Sequence, residues 1–175
     1  IPDTGYRIPV QLYCPSMSLR RKTILVVDED DAAREALSAP LKRDYRLLRA
    51  ASGEAALALM DREDVDVVIT EASLPGITGF ELLQVVRENF PLVEVVMTSD
   101  AANVDQAVQA IKLGAYHFLA KPVDRDQLRT LAAHADERQE LNRRVLRLEE
   151  EVDELGHREF ITGPSPALRD VLDTV

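Results

Sequence analysis

The stretch ITEASLPGITG, residues Ile69–Gly79, joins the end of a β-branched apolar run to a turn containing Pro75 and Gly76. The run itself, DVVIT at 66–70, is short, continuous and bounded by acids, as a strand buried on both faces requires. LPGITG has turn chemistry, because Pro presets φ and Gly tolerates positive φ. One carboxylate, Glu71, stands at the junction. Its meaning depends on what the rest of the chain brings to the same edge.

Similar runs recur on both sides of this segment. TILVVD at 23–28, YRLLRAA at 45–51, VEVVMTS at 93–99 and YHFLA at 116–120 read as strands. Between them lie helical stretches at 31–43, 52–62, 79–89 and 103–114, and a long helix begins near Asp124. Pro40 should kink or end the first helix, and Gly114 should end the fourth. Strands alternating with helices predict an α/β fold: a doubly wound, five-stranded parallel sheet of flavodoxin-like type. Right-handed crossovers then place helices on both faces. Ligand sites in such sheets lie beyond the carboxyl ends of the strands, near the topological switch.

Four strand ends carry polar chemistry. They are Asp28-Glu29-Asp30-Asp31, Thr70-Glu71, Thr98-Ser99-Asp100 and Ala120-Lys121-Pro122. A parallel sheet gathers all four on one rim. Taken singly, each acid is accounted for as a helix cap, and Asp30 or Asp31 suits the first helix. Taken together, Asp28 and Glu29 with oxygen-rich neighbours suit Mg²⁺, Thr98 can donate to a phosphoryl oxygen, and Lys121 can neutralise one. Pro122 admits either peptide isomer.

Composition narrows the function classes. The 175 residues suit one core with an appendage, and 46% hydrophobic and 30% charged residues are ordinary for a globular domain. A net charge of −10 argues against direct nucleic-acid binding, which demands local positive charge. No apolar run approaches the ~20 residues needed to cross a bilayer. Cys14 is the only cysteine, which excludes an internal disulfide framework and points to a reducing, cytoplasmic setting. His117, His134 and His157 lack metal-ligand spacing. The first turn, DEDDAAR, lacks the G-x-G-x-x-G phosphate cradle, which counts against a Rossmann or flavodoxin-type nucleotide site.

ILVVDED, VVITEASLPGITG, VVMTSD and GAYHFLAKP resemble the four signature segments of the response-regulator receiver domain, over roughly Lys22–His134. The resemblance implies a non-catalytic regulatory module that accepts a phosphoryl group from a sensor histidine kinase onto an Asp. It places the Mg²⁺-binding acids at Asp28 and Glu29, with the acceptor position contributing a third. The switch hydroxyl falls at Thr98, the switch aromatic at Phe118 and the pocket lysine at Lys121. The acceptor position holds Glu71, one methylene longer than Asp. Chemistry is sensitive to misplacement of about 1 Å. Glu71 therefore mimics the phosphorylated state by engaging Thr98 and Lys121, or marks a degenerate pocket, or is itself a Mg²⁺-dependent phosphoacceptor.

The long helix opens on Asp124-Arg-Asp-Gln127, a capping-box pattern. Farther on, Leu141, Val145, Leu148, Val152 and Leu155 are spaced 4, 3, 4, 3. That is a heptad seam favouring a parallel homodimer, with Gly156 closing the heptads. FITGPSPALRDVL resembles the opening of the AAA+ ATPase domain of sigma-54-dependent, nitrogen-regulation-type activators. The expected organisation is a flexible leader (1–21), a receiver-like domain (22–134), a coiled-coil linker (135–156) and the start of an ATPase domain (157–175). Partners implied are a second copy, a sensor histidine kinase, the downstream ATPase domain and sigma-54 RNA polymerase. The competing reading is a constitutive dimerisation module on an inert receiver fold.

Overall fold

The structure, a computed structural model, describes residues 21–101 and 103–159. Residues 1–20 of the expected leader and residues 160–175 of the expected ATPase opening lie outside the described residues. The elements run β1 (Thr23–Val27), α1 (Asp31–Ser38), β2 (Arg46–Ala50), α2 (Gly53–Met60), β3 (Val67–Glu71), α3 (Gly79–Asn89), β4 (Glu94–Ser99), α4 (Val104–Lys112), β5 (His117–Ala120) and α5 (Arg125–Glu159). The strands form one parallel sheet in the order β2-β1-β3-β4-β5. The order reverses between β1 and β3, so their carboxyl ends flank the switch.

Local chemistry sets the boundaries. Asp30 caps α1 by accepting from the Ala32 N–H, and the helix ends at Ser38, two residues before Pro40 removes a donor. Thr78 and Glu81 form a reciprocal capping box at the start of α3. Gly114, at φ 94°, carries the chain out of α4. Asp124 accepts from the N–H groups of Asp126 and Gln127, so the expected cap on α5 is present.

Two apolar layers cover the sheet. Leu25, Val27, Val68, Val95 and Met97 face α2, α3 and α4, whose Ala56, Met60, Leu82, Leu83, Val86 and Ala110 complete that core. Ile24, Val26, Val67, Ile69, Val96 and Leu119 face α1 and α5 through Leu37, Leu128, Ala132 and Ala135. This alternation decides which rim residues can meet.

Helix α5 has 35 residues. At about 1.5 Å per residue it spans roughly 50 Å, far more than a strand of this sheet. It passes through Gly156 without ending there. Leu141, Val145, Leu148 and Val152 are all more than half exposed. Leu155 lies within α5, beyond the described side chains.

Candidate functional site

The pairing register brings the expected residues together. Val27 lies opposite Thr70, Glu71 opposite Thr98, and Thr98 opposite Leu119. Asp28, Glu71 and Thr98 each follow by two a strand residue of the α1/α5 face (Val26, Ile69 and Val96), and Lys121 follows Leu119. A period of two puts all four on that face. Backbone hydrogen bonds hold the rim in register: Asp28 N–H to Ala50 O (3.2 Å), Ala72 N–H to Thr98 O (2.8 Å) and Lys121 N–H to Ser99 O (2.9 Å).

Lys121 is the centre of the site. Its Nζ lies 2.6 Å from Asp28 Oδ2 and forms an ion pair with Glu71 Oε2. The side chains of Lys121, Asp28 and Glu71 are only 12%, 2% and 6% exposed. Burial alone would push the lysine pKa down. The hydrogen bond to Asp28 and the contact with Glu71 outweigh it and hold the ammonium above its ordinary value. Asp100 Oδ2 stands 3.5 Å away but is exposed, and such a pair contributes little. The Lys121–Pro122 peptide bond is cis.

Glu71 is positioned by the turn that follows it. Its Oε1 accepts from the Ser73 N–H at 3.4 Å. The Gly79 N–H donates to Ala72 O at 3.0 Å, seating α3 against this backbone. A Cβ on Gly79 would lie 2.9 Å from Ala72 Cα and collide with the Glu71 carbonyl oxygen, so only glycine allows this approach. Glu54, in the first turn of α2, accepts from the Ile77 N–H at 3.0 Å and ties down the far side of the loop.

Two expectations require correction, the Thr98–Glu71 contact and the Mg²⁺ trio. Thr98 is fully buried, and its hydroxyl donates to the Thr70 carbonyl at 3.4 Å instead of to Glu71. Phe118 lies opposite Met97 and packs into the α2/α3/α4 layer, so it leaves the sheet on the other face from Thr98. Glu29 is exposed, whereas Asp28 and Glu71 are buried. The carboxylates are donors of the type Mg²⁺ takes. However, Lys121 Nζ occupies the space between Asp28 and Glu71, and among the described residues no three acidic, histidine or cysteine side chains gather to hold a metal. The expected trio Asp28, Glu29 and Glu71 is not assembled, and this geometry does not fit a divalent ion.

Sequence reasoning missed Arg34. Its guanidinium folds from α1 over the acidic loop, donating to the carbonyls of Asp28 and Glu29 (3.0 Å for the latter) and to Asp31 Oδ1 at 2.9 Å. The signal was a single cation one helical turn after four consecutive acids.

A family profile described as response regulator receiver domain matches residues 24–133. The chain is 33% identical over 137 residues to the hydrogenase transcriptional regulatory protein HoxA of Cupriavidus necator, covering 78% of this chain and 28% of that one. It is 36% identical over 118 residues to the response regulator protein PilR of Pseudomonas aeruginosa, covering 67% and 26%. It thus spans little more than a quarter of these relatives. Among solved structures it is similar to NtrX from Brucella abortus, in complex with ATP, at a TM-score of 0.69 and 32% identity, covering 74% of this chain and 30% of that one. It is also similar to a signal receiver domain of an HD domain-containing protein from Pseudomonas fluorescens, at a TM-score of 0.66 and 30% identity, covering 69% and 98%. Sheet order, rim chemistry and these matches agree, and the chain belongs to the response regulator receiver domain family.

Proposed function

We propose that this chain is the regulatory module of a two-component-type, sigma-54-dependent transcriptional activator in which an internal ion pair stands where phosphoryl transfer would act. Glu71 occupies the phosphoacceptor position. The observation that carries the reading is the Lys121 ammonium, buried between Asp28 and Glu71. The extra methylene of Glu71 extends its carboxylate to the cation, which satisfies both charges internally. Thr98, turned to the Thr70 carbonyl, favours a pocket that has lost its dependence on phosphorylation over one that fully mimics the phosphorylated state. The mimic reading keeps one supporting contact, Glu71 with Lys121.

In this reading the module is not an enzyme, acts in the cytoplasm, and needs no sensor histidine kinase to set its state. Mg²⁺, which the family relationship implies at a phosphorylation site, would enter only if Lys121 withdrew. The exposed seam on α5 receives a second copy, because covering each Leu or Val gains up to about 1.5–3 kcal/mol. The helix then leads to the ATPase domain of a longer chain that acts on sigma-54 RNA polymerase. Among the described residues no helix is long and apolar enough to cross a membrane.

Thermal unfolding with added Mg²⁺ and a small phosphodonor tests the proposal. The expected result is a midpoint that neither addition moves, and a Glu71→Asp form whose midpoint rises with Mg²⁺, since a ligand bound only by the folded state stabilises it. A wild-type midpoint that rises with Mg²⁺ would contradict the reading.

A further inference from the structure

The end of the sheet opposite the Lys121 rim carries two buried carboxylates with part-exposed cationic partners. Asp66, directly before β3, and Glu94, the first residue of β4, are both buried. Asp66 accepts from the Thr23 N–H at 2.7 Å and pairs with Arg143 at 3.1 Å and Lys22 at 3.8 Å. Glu94 meets Arg138 Nε at 3.4 Å, Asn142 Nδ2 at 3.3 Å and Arg87 at 3.7 Å. Lys22 also reaches Gln139, Asp136 and Glu140 at 3.1, 3.3 and 3.4 Å. Arg138 lies over the Tyr116 ring at 5.4 Å. Residues 136–143 of α5 thus meet Lys22, Asp66 and Glu94 at the start of the sheet.

We propose that Asp66 and Glu94 are a receptor for α5, which locks the helix to the receiver as one rigid body and fixes the direction in which its apolar seam faces. The seam begins inside the locked segment. Gln139 is fully buried and Asn142 and Arg143 turn to the sheet, while Leu141 between them is exposed. The Asn142 amide donates to Glu94, a bond with a direction that an apolar contact lacks, and Arg138 and Arg143 add ion pairs to the two acids. Two carboxylates held by three side chains of one helix fix its rotation about its own axis as well as its position. Leu128, Ala132 and Ala135 supply the adhesion above, but small and aliphatic groups alone permit sliding. The locked helix also begins four residues after Lys121, so the pocket lysine and the seam sit on one continuous segment. The receiver and residues 136–143 of α5 therefore turn together.

Backbone amide exchange of the whole chain tests this proposal, using helix-side substitutions that leave the buried acids in place. Removing the two ion pairs to the buried acids in Arg138→Ala/Arg143→Ala should speed exchange over residues 136–143 by at least about tenfold. The sheet amides of β1 and β4 should change by a smaller factor than those of residues 136–143. Arg144→Ala, an exposed neighbour on the same helix, should leave exchange at the wild-type rate. Repeating the comparison with Leu148→Glu/Val152→Glu added removes any contribution from pairing of two copies, so the result is independent of the dimer reading. Wild-type exchange rates in the double-arginine variant, or equal loosening by Arg144→Ala, would overturn the lock.

Discussion

The Lys121 ammonium and the Glu71 carboxylate form an ion pair across the rim of the sheet, and Asp28 holds the same nitrogen at 2.6 Å. Two nearly buried carboxylates therefore share one nearly buried cation. Removing one partner of such a group leaves an uncompensated charge in low dielectric, while the complete group is close to neutral in net stability.

Lys121→Met keeps the stem and deletes the charge. Two facing carboxylates then remain, and urea unfolding at pH 7 should show a loss of about 3–5 kcal/mol. The pH dependence carries the opposite sign to an acid's. The folded pKa of Lys121 lies above its unfolded value. Its contribution is therefore complete below the ordinary lysine pKa, about 10.4, and fades only as pH rises through the higher folded value. Between pH 6 and about 9 the wild-type contribution should be flat.

Gly79→Ala probes the turn that carries Glu71. The added methyl collides with the Glu71 carbonyl and lies 2.9 Å from Ala72 Cα, so α3 or the loop must shift. Overpacking of this kind costs about 1–3 kcal/mol, readable as a lower urea midpoint at unchanged slope. Ala at the neighbouring exposed position, Ser73→Ala, should cost less than about 0.5 kcal/mol.

The strands, their order of succession and the rim residues were legible in the sequence, because buried parallel strands write continuous apolar runs and turns write Pro and Gly. The meeting of Asp28, Glu71, Thr98 and Lys121 followed from topology and resemblance. The direction of the Thr98 hydroxyl did not follow, since the choice between the Thr70 carbonyl and Glu71 is one rotamer of a short side chain. Asp66 stands directly before β3, away from the rim that the topology singles out. Its partner Arg143 sits far along the chain on α5, and a contact between them has no local signature. Helix α5 continues through Gly156, since one glycine costs a helix only about 1 kcal/mol.

The α5 seam predicts a concentration-dependent dimer. Leu148→Glu/Val152→Glu places like charges at successive seam positions and should give a monomer by sedimentation equilibrium, with receiver stability changed by less than about 0.5 kcal/mol. Substitution off the seam, Glu150→Gln, should leave the dimer intact.

The most direct measurement is the intact mass of the chain after incubation with Mg²⁺ and acetyl phosphate. Wild type should show no added phosphoryl group, because Glu71 is engaged with Lys121 and its carboxylate lies about a C–C bond length from where an aspartate's would be. Glu71→Asp should gain one phosphoryl group at that position. A wild-type chain that gains a phosphoryl group on Glu71 would contradict the account.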